Sequence, residues 1–358
     1  MPPIATPGFT TVVHHRAALA ARVPALTGFV RASAPFVALG KHPSWLNVLH
    51  TALGHEPFVV EANDYPDGRT LGFLPLAFLD TFLFGKFLVS LPYLNTNGVV
   101  AALPEVQTAL VTRAVTLADE LNVRYLELRQ EVATEHPALN AALTSKVHMR
   151  LALPRSEEKL WKSFDPKVRN AVRKGEKPGF LVAWGGLELL PAFYDVLSRN
   201  MRDLGTPVFG IELFREILLA FPSEAELCVV KEGTKPIAAA MLLHGWGITE
   251  VPTASSLKEY NPTSVNMLMY WHLLKRSVEL AQSVFDFGRS TTDGPTFKFK
   301  KQWGAVPHPA VWQYHARQGE VGEMRPDNPR YQRAIRMWQR LPLAVSRALG
   351  PRIVRGIP

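Results

Sequence analysis

Cysteine is nearly missing from this sequence, and so is any long apolar run. Cys228 is the only cysteine among 358 residues, so neither a disulfide framework nor a cysteine-based zinc site can be built. It lies in the strand-like run LCVVKE, which favours a buried small hydrophobe over a catalytic thiol. The first ten residues lack the features of a signal peptide, and the run Leu71 to Leu79 is too short to span a bilayer. We therefore expect a cytoplasmic protein without a metal site.

Acidic residues are scarce in two stretches. Residues 325–358 hold eight arginines and one acid, Asp327, and so contribute +7 to the net charge of +9. A second stretch, Lys159 to Lys177, holds seven cations against Asp165 and Glu176. Such stretches bind an anionic partner, whether a nucleic acid, a nucleotide-linked precursor or an anionic lipid surface. The alternative is a solvated surface without a partner.

The same order of elements is predicted twice. Strand-like runs at FVVEAND, TLGFLPLAF and KFLVSL precede a helix from Pro104 to Leu121 and the strand VRYLELRQ. Later, ELCVVKE, IAAAMLLHG and ITEVPTA precede a helix from about Pro262 to Ala281 and the strand SVFDFG. A helical crossover of this length makes the last two strands of each set parallel.

Acetyltransferase-like (GNAT) domains are built in this order. The predicted fold class is therefore α+β, with two tandem GNAT (acyl-CoA N-acyltransferase-like) domains, each a mixed, mostly antiparallel sheet flanked by helices. We place the first domain at residues 1–153 and the second, with the catalytic motifs, at residues 154–320. A basic helical extension, residues 321–358, is expected to pack back on the first domain.

Helix signals between the two sets are clear. Asp165 caps, Pro166 opens and Gly175 stops the basic helix PKVRNAVRK, in which Arg169 and Arg173 lie one turn apart on one face. Further helices are predicted from Leu187 to Leu204, ending at Gly205, and from Ile211 to Ala220. Asn261 and Pro262 predict a capped start for the second crossover helix, whose free amides favour an anion.

Three segments of the second predicted domain resemble the Fem-type aminoacyltransferases. LWKSFDPKVRNAVRKGEKPG is similar to their basic helix, and RNMRDLGTP to the arginine-aspartate turn after the next helix. VFDFGRSTTDGPTFKFKKQWGA resembles their closing motif, with Gly294, Phe297, Phe299 beside Lys300, and Trp303 beside Gly304. The spacing, together with GHEPFVVEAND and FGKFLVSLPYLNTNG, is most similar to the FemAB-like group associated with exosortase (PEP-CTERM) and exopolysaccharide loci. The resemblance covers about residues 35 to 315.

This resemblance implies a transferase that forms an amide bond on an amine of a cell-envelope precursor, either peptidoglycan or exopolysaccharide. Its characterised members take the acyl group from aminoacyl-tRNA. An Arg/Gln-x-x-Gly-x-Gly/Ala loop, which wraps the pyrophosphate of coenzyme A, is missing, and ASSLKEYN stands before the crossover helix instead. The coiled-coil insertion that some members use as a tRNA arm is missing too. The donor, aminoacyl-tRNA or acyl-CoA, therefore stays open, and we expect no tightly bound cofactor.

Lys300 is the first candidate catalytic residue, because its place in the Phe-Lys pair lets its cation stabilise a developing oxyanion or grip the donor's phosphate. Lys298 and Lys301 are close rivals. Asp286 could orient the acceptor amine, or instead form a cap or a salt bridge. Alternation along the strand puts Asp286 and Arg289 on opposite faces, so only one of them faces the site.

The remaining candidates bind substrate. Arg169 with Arg173, and Arg202 with Asp203, could hold phosphates or carboxylates, since guanidinium groups match those anions bidentately. Structural pairing explains Arg202 with Asp203 equally well. The other groove candidates are Tyr260, Asn261, Arg289, Phe299 and Trp303, whereas Tyr270, His244 and His272 have apolar surroundings typical of structural roles.

A second class of function stays open. The chain could be a non-catalytic module that binds RNA or a membrane surface, with a degenerate GNAT cleft. Within residues 325–358, arginines alternate with apolar residues that include Tyr331, Met337 and Trp338. Such a segment suits an anionic membrane surface, and it suits packing as a final helix equally well.

Overall fold

In the computed structural model the chain forms two compact units. The structure describes residues 4–6, 8–33, 38–82, 84–318 and 332–357. Of these, the first unit holds the residues up to 147 together with 309–318 and 356–357, and the second holds 148–308 and 332–355. These limits differ from the predicted boundaries at 153 and 320, because the chain enters the second sheet at Lys146–Ala152 and leaves it after residue 308.

The elements of the first unit follow the predicted order. They are β1 Ile4–Thr6, β2 Phe9–His15, α1 Ala17–Ser33, α2 Trp45–Leu53, β3 Glu56–Asp64, β4 Thr70–Thr81, β5 Gly85–Val89, β6 Val100–Ala101, α3 Pro104–Glu120, β7 Tyr125–Gln130 and β8 Ala141–Leu143.

The first strand of the second unit contains the boundary between the two units. The elements of this unit are β9 Lys146–Ala152, α4 Glu157–Ser163, α5 Pro166–Glu176, β10 Leu181–Gly185, α6 Leu190–Leu204, α7 Ile211–Ala220, β11 Ala225–Glu232, β12 Lys235–Gly245, β13 Ile248–Ser256, α8 Val265–Glu279, β14 Val284–Thr291, α9 Pro295–Gln302 and β15 Val306–Pro309. The chain continues through β16 Val311–Ala316, α10 Gln332–Trp338 and α11 Leu343–Val354.

The first sheet has the strand order β1-β2-β3-β4-β5-β7-β16-β8, with β6 beside β4. Helix α3 crosses between β5 and β7, which therefore run parallel. Its apolar face, including Leu110, Ala114 and Leu117, packs on sheet residues such as Leu76 and Leu126. Proline opens α3 at a position where its missing N–H is harmless.

The second sheet has the order β10-β11-β12-β13-β14-β9-β15. Helix α8 crosses between β13 and β14, which also run parallel. Both parallel pairs were expected from the sequence, and both are present.

Two helix ends in the second unit differ from the expectation. Asp165 does cap α5, since its carboxylate accepts a hydrogen bond from the Lys167 amide at 2.8 Å. However, Gly175 lies inside α5, which ends at Glu176. A Cβ at Gly175 would come within 2.8 Å of Leu268, so glycine allows the close approach of α8. Helix α8 begins at Val265 rather than near Pro262, because residues 258–263 form a 3-10 turn. The side chain of Asn261 makes no cap there.

Within the described part of the extension, residues 332–355 belong to the second unit and contact its helix α6, whereas residues 356–357 belong to the first unit. Packing of the extension on the first domain stays a prediction. Arg347 on α11 donates to Asp195 at 2.6 Å and to Ser198 at 2.8 Å. Arg202 donates to the Leu341 carbonyl at 3.4 Å. These α6 groups provide the physical reason for the placement of α11. Residues 325–331, including Asp327 and Tyr331, lie outside the described part of the chain.

The contact of α11 with the second unit gives a testable prediction. A Cβ at Gly350 would lie 2.8 Å and 3.0 Å from the backbone oxygen and nitrogen of Val208. We expect Gly350→Ala to lower the free energy of unfolding by about 1–3 kcal/mol, as overpacking against a backbone does. Urea denaturation measures this value.

Gly28 in α1 is the matched control. A Cβ at this exposed helical glycine meets nothing within 4 Å, so Gly28→Ala should stabilise by up to about 1 kcal/mol. Equal effects of the two substitutions would contradict the close packing of α11.

Candidate functional site

The second sheet opens between β13 and β14. Their parallel pairing is limited to residues 248–250 against 284–286. Beyond that point β13 carries a bulge, in which Val251 and Pro252 oppose Leu242 alone. Proline suits a bulge because it has no N–H to offer the ladder. Residues 251–256 and 287–291 therefore border a gap, which we call the β13/β14 cleft.

Two carboxylates lie at the closed end of the cleft. Glu250 and Asp286 are register partners on the two parallel strands, so their side chains leave the same face of the sheet. Both are buried, at 7% and 0% exposure. Arg150 on β9 donates to the Asp286 carboxylate at 2.8 Å, and the Gly288 amide donates to it at 2.7 Å. Asp286 therefore forms a salt bridge with Arg150, as one of the two alternatives for this residue predicted.

Lys300 reaches the wall of the same cleft from α9. Its ammonium donates to the carbonyls of Gly288 at 2.9 Å and Arg289 at 3.0 Å. Burial lowers the pKa of Lys300 to about 8, an effect that Asp286 opposes and Arg289 reinforces. An ammonium has three N–H donors. Two of them bind the carbonyls of β14, and the third is left for a ligand.

Gly288 explains how β14 turns at this place. Its φ of +77° lies in the left-handed region, which glycine adopts without a Cβ penalty. The turn interrupts the alternation between Asp286, which is fully buried, and Arg289, which is half-buried. Lys298 is exposed on α9, and Lys301 is exposed beside Phe297, so the rivals of Lys300 point away from these carbonyls.

The first unit has the same parallel pair but no gap. Here β5 stops at Val89, and residues 90–99 leave β4 before β6 returns to it. Residues 90–99 form hydrogen bonds with β7 instead. The Ser90 amide donates to the Glu127 carbonyl at 2.9 Å, and the Asn97 amide donates to the Arg129 carbonyl at 2.8 Å. The place that is open in the second unit is therefore filled in the first.

The two arginines of α5 differ in their surroundings. Arg173 is exposed, its guanidinium lies 5.6 Å from the Trp161 ring centre, and it donates to Asn170 at 3.2 Å. Arg169 is half-buried, and its side chain contacts no acceptor among the residues that the structure describes. Arg169 is thus the better placed of the two to hold an anion.

We expect Arg169→Ala with Arg173→Ala to weaken the binding of a nucleotide-linked anion, with UDP as the probe. The loss should be clear at low salt and small at about 1 M salt, where the Debye length is about 3 Å. Isothermal titration at both salt concentrations measures it. Arg199→Ala with Arg215→Ala removes two cations that pair with acids elsewhere in the unit, and should leave UDP affinity unchanged. Equal low-salt affinity in both double variants would refute the prediction.

The other predicted binding residues lie apart from the cleft floor. Arg202 pairs with Asp203 at 2.6 Å, and the pair holds the extension through Leu341 and Gln339. Tyr260 bonds to Glu232 at 2.5 Å and accepts from Lys235 at 3.2 Å. Asn261 is exposed in the turn before α8.

The aromatic candidates belong to a packed cluster. Trp303 is 1% exposed and lies edge-on to Phe164 at 5.2 Å. Phe299 lies edge-on to Tyr270 at 5.0 Å. Burial raises the pKa of Tyr270 to about 12. These rings support α8 and α9 from beneath the cleft wall.

The histidines have structural surroundings. His244 bonds to Thr249 and Glu226 at 2.8 Å each, and Glu226 also binds Arg276 at 2.9 Å. Although burial raises the Glu226 pKa, the bonds from His244 and Arg276 outweigh it and lower that pKa. Burial raises the pKa of the Cys228 thiol, so this cysteine stays protonated.

Glu250 and Arg150 are the site residues that the sequence reasoning missed. The signal for Glu250 was a charged residue inside the strand ITEVPTA, two positions before a proline that marks the bulge. Arg150 could not be found in this way, because only the sheet order places β9 beside β14.

Residues 162–301 match the family described as "Acetyltransferase (GNAT) domain". The matched segment runs from the end of α4 into α9 and contains both strands of the cleft together with Lys300, which supports acyl transfer as its chemistry. No curated protein matches the chain.

Several solved structures are similar to this chain in fold. FemX is 16% identical, with 84% of this chain and 96% of that chain covered and a TM-score of 0.64. A tandem GNAT protein from the clavulanic acid biosynthesis pathway is 13% identical, with 85% and 98% covered and a TM-score of 0.54. L-PGS from Bacillus licheniformis is 14% identical, with 82% and 92% covered and a TM-score of 0.52.

The predicted fold class is thereby confirmed: an α+β chain with two tandem GNAT-like domains. Among the described residues, no helix is both long and apolar enough to cross a membrane. Nor do the described histidines, cysteines and carboxylates form a group that could hold a metal ion.

Proposed function

We propose that the chain is an acyltransferase or aminoacyltransferase that forms an amide bond on an amine of a cell-envelope precursor, and that the second unit carries the reaction. One observation supports this most strongly: the β13/β14 cleft opens beside buried carboxylates and a buried lysine. In the first unit, residues 90–99 fill the corresponding place. We therefore assign the donor to the second unit.

The chemistry needs three things from the cleft. The acceptor nitrogen must lose a proton, because an alkylammonium has a pKa near 10.4 and cannot attack a carbonyl. We assign that proton, directly or through water, to Glu250. As the new C–N bond forms, the developing oxyanion needs a donor, and the third N–H of Lys300 supplies it. The C–S or C–O bond to the leaving group then breaks, and the leaving group takes up the proton that Glu250 received from the nitrogen. The other proton that the ammonium loses goes to water.

Asp286 has a supporting part in this proposal. It neutralises Arg150 and binds the Gly288 amide, so it fixes the turn whose carbonyls hold Lys300. Arg169 and Arg173 are proposed to bind the phosphates of a donor or acceptor, and Arg289, Phe299, Trp303, Tyr260 and Asn261 to form or support the cleft walls. Arg202 and Asp203 are proposed to bind substrate through the part of their surface that the extension does not cover.

The donor and acceptor are part of the proposal. The segment before α8 contains no glycine and forms a 3-10 turn, which favours aminoacyl-tRNA over an acyl-CoA. Similarity to FemX supports the FemAB-like assignment, and the exosortase-associated group within it remains our prediction. The exposed cations Arg333 and Arg336 of α10, beside Met337, and Arg340 in the turn after α10 are proposed to contact the anionic inner face of a membrane where a lipid-linked acceptor is held.

Native mass spectrometry tests the proposal. The full chain is mixed with acetyl-CoA or with aminoacyl-tRNA, and we expect one donor per chain. In Thr253→Trp, which fills the side of β13 beyond the bulge, retention should be lost while circular dichroism stays unchanged. Binding of two donors per chain would contradict the assignment of the donor to the second unit alone.

A non-catalytic binding module is the second candidate. It is favoured by one observation, namely that Asp286 and Lys300 already have partners inside the protein. This candidate predicts that neither donor is retained, that no amide product forms with amine-bearing precursors, and that RNA or anionic vesicles still bind. Formation of an amide product by the wild type, and its loss in Thr253→Trp, would reject it.

A further inference from the structure

A cavity lies in the same unit, on the side of α8 away from the cleft carboxylates. It is lined by Glu157, Glu158 and Trp161 of α4, Glu176 of α5 and Trp271 of α8, and its volume is about 490 Å³. We call it the tryptophan pocket. Cavities of this size accommodate a small organic ligand.

The side chains of Asp286 and of Phe287, its neighbour along β14, leave opposite faces of the sheet. Phe287 stacks on Tyr270 of α8, so α8 covers the face opposite to Glu250 and Asp286. The tryptophan pocket, which is built on α8, is therefore separate from the β13/β14 cleft.

Two indole rings form the apolar walls of the pocket. Trp161 and Trp271 lie 4.9 Å apart with their planes tilted by 55°. Trp271 is 6% exposed and is held by Phe164 at 6.0 Å, so its ring is fixed. Indole faces attract cations more strongly than other aromatic rings do. The Arg173 guanidinium lies 5.6 Å from the centre of the Trp161 ring, within the range of a cation–π contact.

The polar part of the lining is anionic. Glu157 binds Lys275 at 3.1 Å. Glu158 and Lys162 form an exposed pair, 75% and 69% accessible, which water and salt screen. Glu176 is exposed and makes no side-chain contact with a cation among the described residues. A carboxylate without a partner beside two indole rings can take a further positive charge.

His272 does not cancel this charge. It lies on α8 near Glu157 and Glu176, and burial, reinforced by Lys275, lowers its pKa below the usual value. The imidazole is therefore neutral at pH 7. Glu176, which pairs with no lysine or arginine among the described residues, favours a cation over a phosphate or a carboxylate at its end of the pocket.

We propose that the tryptophan pocket binds an alkylammonium group: a primary amine on an aliphatic chain, with the ammonium at Glu176 and the methylene groups against Trp161 and Trp271. The proposal does not depend on the transfer reaction, because binding alone tests it. It adds a site for an amine-bearing ligand outside the β13/β14 cleft.

Titration of the full chain with n-pentylammonium chloride tests the pocket, with n-pentanol and sodium pentanoate as neutral and anionic probes of matched length. Tryptophan fluorescence or isothermal titration gives the affinity. We expect n-pentylammonium to bind and the other two to bind much more weakly. Glu176→Gln keeps the size of the side chain and removes its charge, so it should weaken n-pentylammonium binding about fivefold or more.

Glu212→Gln is the matched control, because Glu212 is an exposed glutamate on α7 that pairs with Arg215 at 3.1 Å. Its affinity for n-pentylammonium should equal that of the wild type. Trp161→Leu should also lose affinity while the neutral probe is little affected. Undetectable n-pentylammonium binding, equal binding of n-pentanol, or an unchanged affinity in Glu176→Gln would each overturn the proposal. Loss of donor retention with intact n-pentylammonium binding would instead implicate only the proposed transfer function.

Discussion

Asp286→Ala is expected to lower the free energy of unfolding by about 3–5 kcal/mol and to abolish transfer. The carboxylate is 0% exposed, and its partner Arg150 has a side chain that is 14% exposed. Removing one member of such a pair leaves an uncompensated buried charge, which is strongly destabilising. Urea denaturation followed by tryptophan fluorescence measures the stability, and amide formation measures the activity.

The paired variant Asp286→Leu with Arg150→Met separates the two effects. Replacing both charges by apolar groups of similar size is often neutral or stabilising, so this variant should recover most of the stability while remaining inactive, because the Gly288 amide has lost its acceptor. A single Asp286→Ala variant within about 1 kcal/mol of the wild type would show that the ion pair contributes little, and the geometry of the cleft floor would need another explanation.

Lys300→Met should reduce transfer about 100-fold or more, the usual loss when a donor to an oxyanion is removed. Methionine keeps much of the aliphatic volume, so the aromatic cluster around Phe299 should stay packed. Two carbonyls, of Gly288 and Arg289, lose their donor. Because these carbonyls are then left without a donor, some loss of stability should accompany the loss of activity.

Lys300 also gives a pH signature. Its folded-state pKa is lowered to about 8, below the unfolded value of about 10.4. Between these values the unfolded chain binds one proton more than the folded chain, so stability rises with pH in this window. Wild type should gain stability between pH 8 and 10.4 relative to Lys300→Met. Parallel stability curves for the two proteins would argue against a buried lysine with a lowered pKa.

The sequence predicted the strand and helix order well, because these elements depend on local patterns. Alternating and continuous apolar runs defined β11, β12 and β13, while Ile211–Ala220 was predicted to the residue. The parallel pairs followed from crossover length alone. Gly175 was wrong as a helix stop signal. Its lack of a side chain allows the close approach of α8, and only the tertiary structure shows that contact.

The site was predicted less completely, for a physical reason. Lys300 and Asp286 were found through a short motif, and the structure brings both to one turn of β14. What each residue contacts depends on strands far away in the sequence: Arg150 lies 136 positions before Asp286. No local pattern carries that information. The filled cleft of the first unit was equally hidden, because SLPYLNTNG reads as an ordinary loop.

Strand β16 has a consequence for synthesis of the protein on the ribosome. It pairs along β7 from Val311↔Gln130 to Ala316↔Tyr125. The edge of β7 therefore stays unpaired until its partner strand is synthesised, roughly 190 residues later. At about 5–20 residues per second, that interval lasts about 10–40 s. During this time an unpaired strand edge is open to another nascent chain. Slower elongation after residue 130 should therefore lower the soluble yield, and a chaperone that covers strand edges should restore it.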